Sequence, residues 1–170
     1  MSEKLRILVT GFGPFPGAPY NPTQPLVARL TRLRRPAFSD VELSSHIFPV
    51  TYQTVDRELP QALKKHQPHA LLMFGPHTAK LLRAACATGI DARPSRDAGA
   101  YLCNYLSWRA IEAVETDDHL QLAAFIHIPL LARGGTSLRK GTSRLTLDGL
   151  VDAGEAMLME MVKQARRTAR

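Results

Sequence analysis

Residues 5–30 read LRILVTGFGPFPGAPYNPTQPLVARL, and this stretch decides the fold. Leu5–Thr10 is an apolar run that predicts a buried strand. Gly11, Gly13, Pro14 and Pro16 then force the chain into a stiff loop. From Pro22 to Leu33 the apolar residues Leu26, Val27, Leu30 and Leu33 recur at helical spacing. A strand, a glycine-rich loop and an amphipathic helix make the opening unit of an α/β layered fold.

The same alternation continues along the chain. Val41–Val50 reads as a strand, followed by a helix from about Thr54 that Pro60 limits or kinks. Ala70–Phe74 is a short buried strand closed by Gly75-Pro76, and His77–Ala87 is helical with Gly89 as its stop. Ile90–Ser95 is expected to form another strand. A helix follows from Tyr101, then a buried strand at Ala123–Ile128, and the longest helix at Thr146–Arg167. No repeat, low-complexity stretch or linker interrupts residues 1–170, so one domain is expected. The expected class is α/β, a three-layer α/β/α sandwich around a mostly parallel (mixed) sheet.

A length of 170 residues with 45% apolar content suits one soluble core. The longest apolar runs, LLMF at 71–74 and AAFIHIPLLA at 123–132, fall far short of the roughly 18–20 residues that span a bilayer. MSEKLRILV lacks the long apolar core of a secretory signal, so a cytoplasmic protein with no membrane partner is expected. The net charge of +7 raises the question of nucleic acid. The basic residues are scattered over segment ends and helical faces, with no aromatic interleaving, and nucleic acid is therefore not an expected partner. Two cysteines, Cys86 and Cys103, argue for a reducing compartment. Without C-x-x-C or H-x-x-x-H spacing, neither a metal nor a cofactor is expected.

Three places carry chemistry. Cys103 lies in AGAYLCNYL, just inside a helix that begins after Gly99, where unpaired N–H groups and the dipole favour a thiolate. The same position also suits a small residue packed between Leu102 and Leu106. Cys86, among alanines in LLRAACATG, is expected to be inert core. His127, in AAFIHIPLL, falls near the end of a buried strand, where an open α/β sheet places its ligand crevice. It is either a packed core histidine or the base of a thiolate–imidazolium pair. His46, His66, His69, His77 and His119 sit in polar or turn-like contexts and are expected at the surface.

The third place is the opening loop. A dinucleotide fingerprint needs G-x-G-x-x-G leading straight into a helix, whereas Gly11, Gly13 and Gly17 are spaced one residue too far. Pro14 and Pro16 also remove N–H donors, and the next helix starts too late to aim its dipole at a phosphate. What remains is Phe12 and Phe15, which either pack into the core or present aromatic faces to a small, flat, neutral ligand.

Together, VTGFGPFPGAPYNPT at 9–23, SRDAGAYLCNYL at 95–106 and FIHIP at 125–129 resemble the pyroglutamyl peptidase I family, cysteine peptidases that remove an N-terminal pyroglutamyl residue. The resemblance implies Cys103 as nucleophile and His127 as its base. It implies Phe12 and Phe15 as walls of a pyroglutamyl-ring pocket with Asn21 nearby, pyroglutamylated peptides as substrates, and self-association as a homo-oligomer. One element departs from the pattern. The family's third triad member, a glutamate in E-R-x-A-x-N, has no counterpart here, and a block of a few dozen residues is missing between Gly75 and Pro76. Reduced activity, or an inactive relative that keeps the pocket as a binding or assembly module, is the corresponding expectation. Asp91 and Asp97 are the nearest carboxylates that precede Cys103 in sequence.

Overall fold

A computed structural model of the chain describes residues 4–15, 19–73, 79–94, 101–128, 131 and 145–168. Among the described residues four strands form one sheet: β1 (Leu5–Phe12), β2 (Val41–Phe48), β3 (Ala70–Leu72) and β4 (Leu122–Ala124). Their order is β2-β1-β3-β4, and every pairing is parallel. β1 pairs with β2 along its whole length, from Leu5 opposite Val41 to Phe12 opposite Phe48. On its other side Ile7, Leu8 and Val9 face Ala70, Leu71 and Leu72. Covered on both faces, β1 reads as a continuous apolar run, and Ile7, Leu8 and Val9 are fully buried. β2 lies at an edge and carries polar residues between its apolar ones.

The α-helices of the described residues cover the sheet: α1 (Thr23–Leu30), α2 (Tyr52–His66), α3 (Ala79–Cys86), α4 (Leu102–Thr116) and α5 (Leu147–Thr168). α1 and α3 pack with α5 on one face, and α2 packs with α4 on the other, which makes the three layers. α1 and α5 approach closely at Gly154, where a Cβ would stand 2.9 Å from Leu30 Cδ1. Three arginines pair across the chain onto or from α5: Arg29 with Asp148 and Arg35 with Glu155, both at 2.6 Å, and Arg166 with Asp40. Such exposed pairs contribute little stability individually.

Pro60 does not stop α2. The helix continues to His66 because Val55, Leu59, Ala62 and Leu63 bury one face of it, and Thr51 caps its start by accepting from Thr54 N at 3.2 Å. The expected strand at Ile90–Ser95 is absent over residues 90–94, and Ser95 lies outside the described residues. Ala92 N bonds back to Ile90 O in a tight turn, and Arg93 forks onto Asp91, so local partners replace a sheet ladder. The Gly75–Pro76 junction also lies outside the described residues. Among the described residues no helix is long and apolar enough to cross a membrane.

Candidate active site

All four strands run in the same direction, so their carboxyl ends share one edge of the sheet. The order β2-β1-β3 means that the chain leaves β1 to one side and returns on the other, opening a crevice beyond β1 and β3. A cavity of about 170 Å³ occupies that position. Thr10, Gly11 and Phe12 line it from the end of β1, and Met73 from just beyond β3. Residues 125–128 line it from beyond β4, and Leu102, Cys103 and Leu106 from the first turns of α4. Phe15 and Asn21 complete the wall, so Cys103, His127, Phe12, Phe15 and Asn21 meet around one cavity.

The opening loop is held by hydrogen bonds that the N-P-T sequence supplies. Thr23 Oγ1 donates to Phe12 O at 2.7 Å and accepts from Phe12 N at 3.1 Å. Asn21 Nδ2 donates to Gly13 O, and Asn21 Oδ1 accepts from Thr23 N at 3.0 Å. Gly13 N in turn continues the β1–β2 ladder onto Phe48 O. Gly11 serves packing here: a Cβ would stand 3.1 Å from both Thr23 Cβ and Val27 Cγ2. Gly11 thus lets α1 approach the strand end. Phe12 is buried against Phe48, while Phe15 is more than a third exposed at the rim.

Cys103 is the second residue of α4, whose start at Tyr101 has no side-chain cap. The helix start was expected to lower the thiol pKa, but Cys103 is half-buried among apolar groups, and burial pushes the thiol up. The expected contrast with Cys86 also changes. Cys86 is exposed at the last turn of α3, with Sγ donating to Ala92 O at 3.4 Å, and is not core. His127 has an exposed ring at the cavity rim, edge-on to Phe125 with centroids 5.4 Å apart.

No Asp or Glu is among the described residues that line the cavity. Asp91 is committed to Arg93 on the surface, and Asp97 lies outside the described residues. Among the described residues no cluster could hold a metal ion. Two histidines expected at the surface are structural. His46 Nε2 pairs with Glu58 at 2.9 Å, and His69 Nδ1 accepts from Arg6 N at 3.0 Å beside β3.

Sequence reasoning missed Thr10, Met73 and Tyr101 as wall residues. Thr10 is 1% exposed, and its Oγ1 has no hydrogen-bond partner. A lone hydroxyl inside ILVTGF, at the strand end that faces the crevice, was the available signal.

The family profile described as Pyroglutamyl peptidase matches this chain over residues 5–85 and 77–164. The chain belongs to the pyroglutamyl peptidase family. Relatives agree with this. The chain is 25% identical to the pyrrolidone-carboxylate peptidase of Oceanobacillus iheyensis over 169 residues, covering 73% of this chain and 83% of that one. To the Vibrio vulnificus enzyme of the same name it is 24% identical, covering 96% and 95%. That alignment runs over 210 residues, more than the 170 available here, so internal stretches of the Vibrio protein have no counterpart. Pyrrolidone carboxyl peptidase from Thermococcus litoralis shares the fold with a TM-score of 0.78 at 18% identity, covering 98% of this chain and 96% of that structure. Membership of this family carries a reaction class, removal of N-terminal pyroglutamate by a cysteine peptidase.

Proposed function

We propose that Cys103 and His127 carry this reaction in the cavity beyond β1 and β3, with Phe12 and Phe15 as the faces between which the pyroglutamyl ring sits. The convergence of these residues from separate chain segments on one small apolar cavity is the observation that supports the reading. A cavity of about 150 Å³ accommodates a benzene-sized ring, so about 170 Å³ suits one lactam ring and little more. His127 takes the Cys103 thiol proton as the sulfur attacks the pyroglutamyl carbonyl carbon, forming a C–S bond while the carbonyl π pair moves onto oxygen. As the tetrahedral intermediate collapses, the C–N bond breaks and His127 gives its proton to the leaving amine. Water, deprotonated by His127, then cleaves the thioester and releases pyroglutamate and free Cys103.

Asn21 acts through the loop: its bonds to Gly13 and Thr23 hold the Phe12–Phe15 segment in place. We also infer that the segment bearing the family's glutamate is deleted between Gly75 and Pro76. In a related triad, disabling the group that orients the histidine costs about four orders of magnitude in turnover, so slow turnover is expected. Two free thiols fit a cytoplasmic setting, and self-association is read from the family resemblance. The decisive assay is hydrolysis of a pyroglutamyl aminocoumarin by the full chain and by Cys103→Ala. Turnover lost in the variant supports the reading. No turnover with retained binding of pyroglutamate overturns the enzyme and leaves a binding module.

A further inference from the structure

The cavity holds one ring, so the rest of any peptide substrate must lie outside it, and one surface continues directly from its rim. Tyr101 lines the cavity yet is 56% exposed. Its ring stands edge-on to Tyr52 at 5.5 Å, Tyr52 stands against Tyr105 at 5.1 Å, and Tyr105 against Trp108 at 6.3 Å. Tyr101, Tyr105 and Trp108 follow at spacings of four and three, one face of α4 running away from Cys103. Tyr52 contributes from the start of α2.

This strip is exposed although its rings are apolar. Tyr52 and Trp108 are 42% and 55% accessible. Its middle is also pre-set. Tyr105 donates its phenol to Asp56 at 2.6 Å, and Arg109 pairs with the same carboxylate at 3.5 Å and with Glu112 at 2.9 Å. Aromatic rings held in this way present large contact area with little rotamer entropy left to lose.

We propose that the aromatic strip Tyr101–Tyr52–Tyr105–Trp108 binds the part of the substrate that follows the pyroglutamyl residue, and selects peptides with large apolar or aromatic side chains there. The inference rests on the lactam-pocket reading, because the strip begins at that pocket's rim and two residues from Cys103. Its occupant is the leaving peptide chain, which has to emerge where Cys103 and the exposed His127 ring stand.

The chain has a single tryptophan, so Trp108 itself reports on the strip. The test uses full-length Cys103→Ala protein, titrated calorimetrically and by tryptophan fluorescence with pyroglutamate, pyroglutamyl-Ala-Phe-Leu and pyroglutamyl-Ala-Gly-Gly. The apolar peptide is expected to bind at least fivefold more tightly than the other two and to change Trp108 emission, while pyroglutamate binds without that change. Tyr52→Ala is expected to reduce the preference below twofold with pyroglutamate affinity unaltered. Equal affinity of the two peptides, or tight binding of the apolar peptide with unchanged emission and no effect of Tyr52→Ala, overturns the inference alone. So does a concentration-dependent dimer that Trp108→Ala dissociates while the peptide preference persists, since the strip is then a contact between copies. Failure of all three ligands to bind overturns the lactam pocket itself.

Discussion

The two cysteines sit in superficially similar sequence, each a small residue in a helix rich in alanine or leucine, and the fold treats them in opposite ways. Cys86 ends α3 and faces solvent, whereas Cys103 starts α4 and forms part of a cavity wall. Thiol chemistry depends on two separable things, access and ionisation, and burial restricts both at Cys103, while Cys86 is open to solvent. Cys86 has access without a pocket. Cys103 has the pocket and the helix start, but its burial favours the neutral thiol.

The largest effect that would break this comparison is on turnover. Cys103→Ala is expected to abolish hydrolysis of a pyroglutamyl aminocoumarin, a loss of at least about a thousandfold, as for the nucleophile of other covalent hydrolases. Cys86→Ala is expected to remain within twofold of the parent, and a comparable loss in both would remove the distinction. Next in size, His127→Ala is expected to lower kcat/KM by about 10²–10⁴, the range for loss of a general acid–base. Alkylation gives a third contrast. At neutral pH, iodoacetamide is expected to modify exposed Cys86 about tenfold faster than Cys103 in the ligand-free protein, in keeping with the dependence on access and thiolate fraction.

The pH dependence sharpens that contrast, and its sign follows from burial. A thiol pKa raised on folding means the neutral form is favoured in the native state. The associated stability is intact below the ordinary thiol range and is lost as pH rises through the raised value. The Cys103 alkylation rate is therefore expected to keep climbing beyond the ordinary thiol pKa of about 8.5. A Cys103 rate that levels near pH 6 would mean that the helix start and His127 outweigh burial.

Two smaller effects probe the cavity around Cys103. Asn21→Ala removes hydrogen bonds to Gly13 O, Thr23 N and Thr23 Oγ1. It is expected to lower stability by about 1–2 kcal/mol and to raise KM more than it lowers kcat, measurable by denaturant unfolding and steady-state kinetics. Thr10→Val replaces an unpartnered buried hydroxyl with a methyl of similar shape. Stability is expected to change by less than about 1 kcal/mol, with a small gain the favoured direction because no hydrogen bond is lost. A loss above 2 kcal/mol would show a bond that the hydroxyl makes in solution.

Much of the fold was legible in the chain. The uninterrupted apolar run of β1 signalled a strand covered on both faces, and the i, i+4 recurrence in PLVARL signalled the face that α1 buries. The failures have local physical causes. Pro60 was overestimated as a breaker because tertiary burial of the α2 face outweighs the lost N–H bond. The segment at residues 90–94 has β-type character at Ile90 alone, and the Asp91–Arg93 pair with the turn at Ala92 consumes its backbone and side-chain partners locally.

For the candidate site, sequence by itself singled out the candidate residues: a thiol at a helix start, an imidazole after a buried strand, and two rings in a glycine-proline loop. It also excluded a phosphate loop, through the spacing of Gly11, Gly13 and Gly17 and the prolines between them. Only the tertiary structure decided that these groups share one cavity, that Cys86 lies outside it, that Thr10 lines it, and that a strip of four aromatic rings leads away from its rim. The reason is that residue type and period are properties of a segment, whereas burial and proximity come from strand order. With the order β2-β1-β3-β4, the ends of β1, β3 and β4 and the start of α4, spread along the chain from Phe12 to Ala124, reach the same crevice.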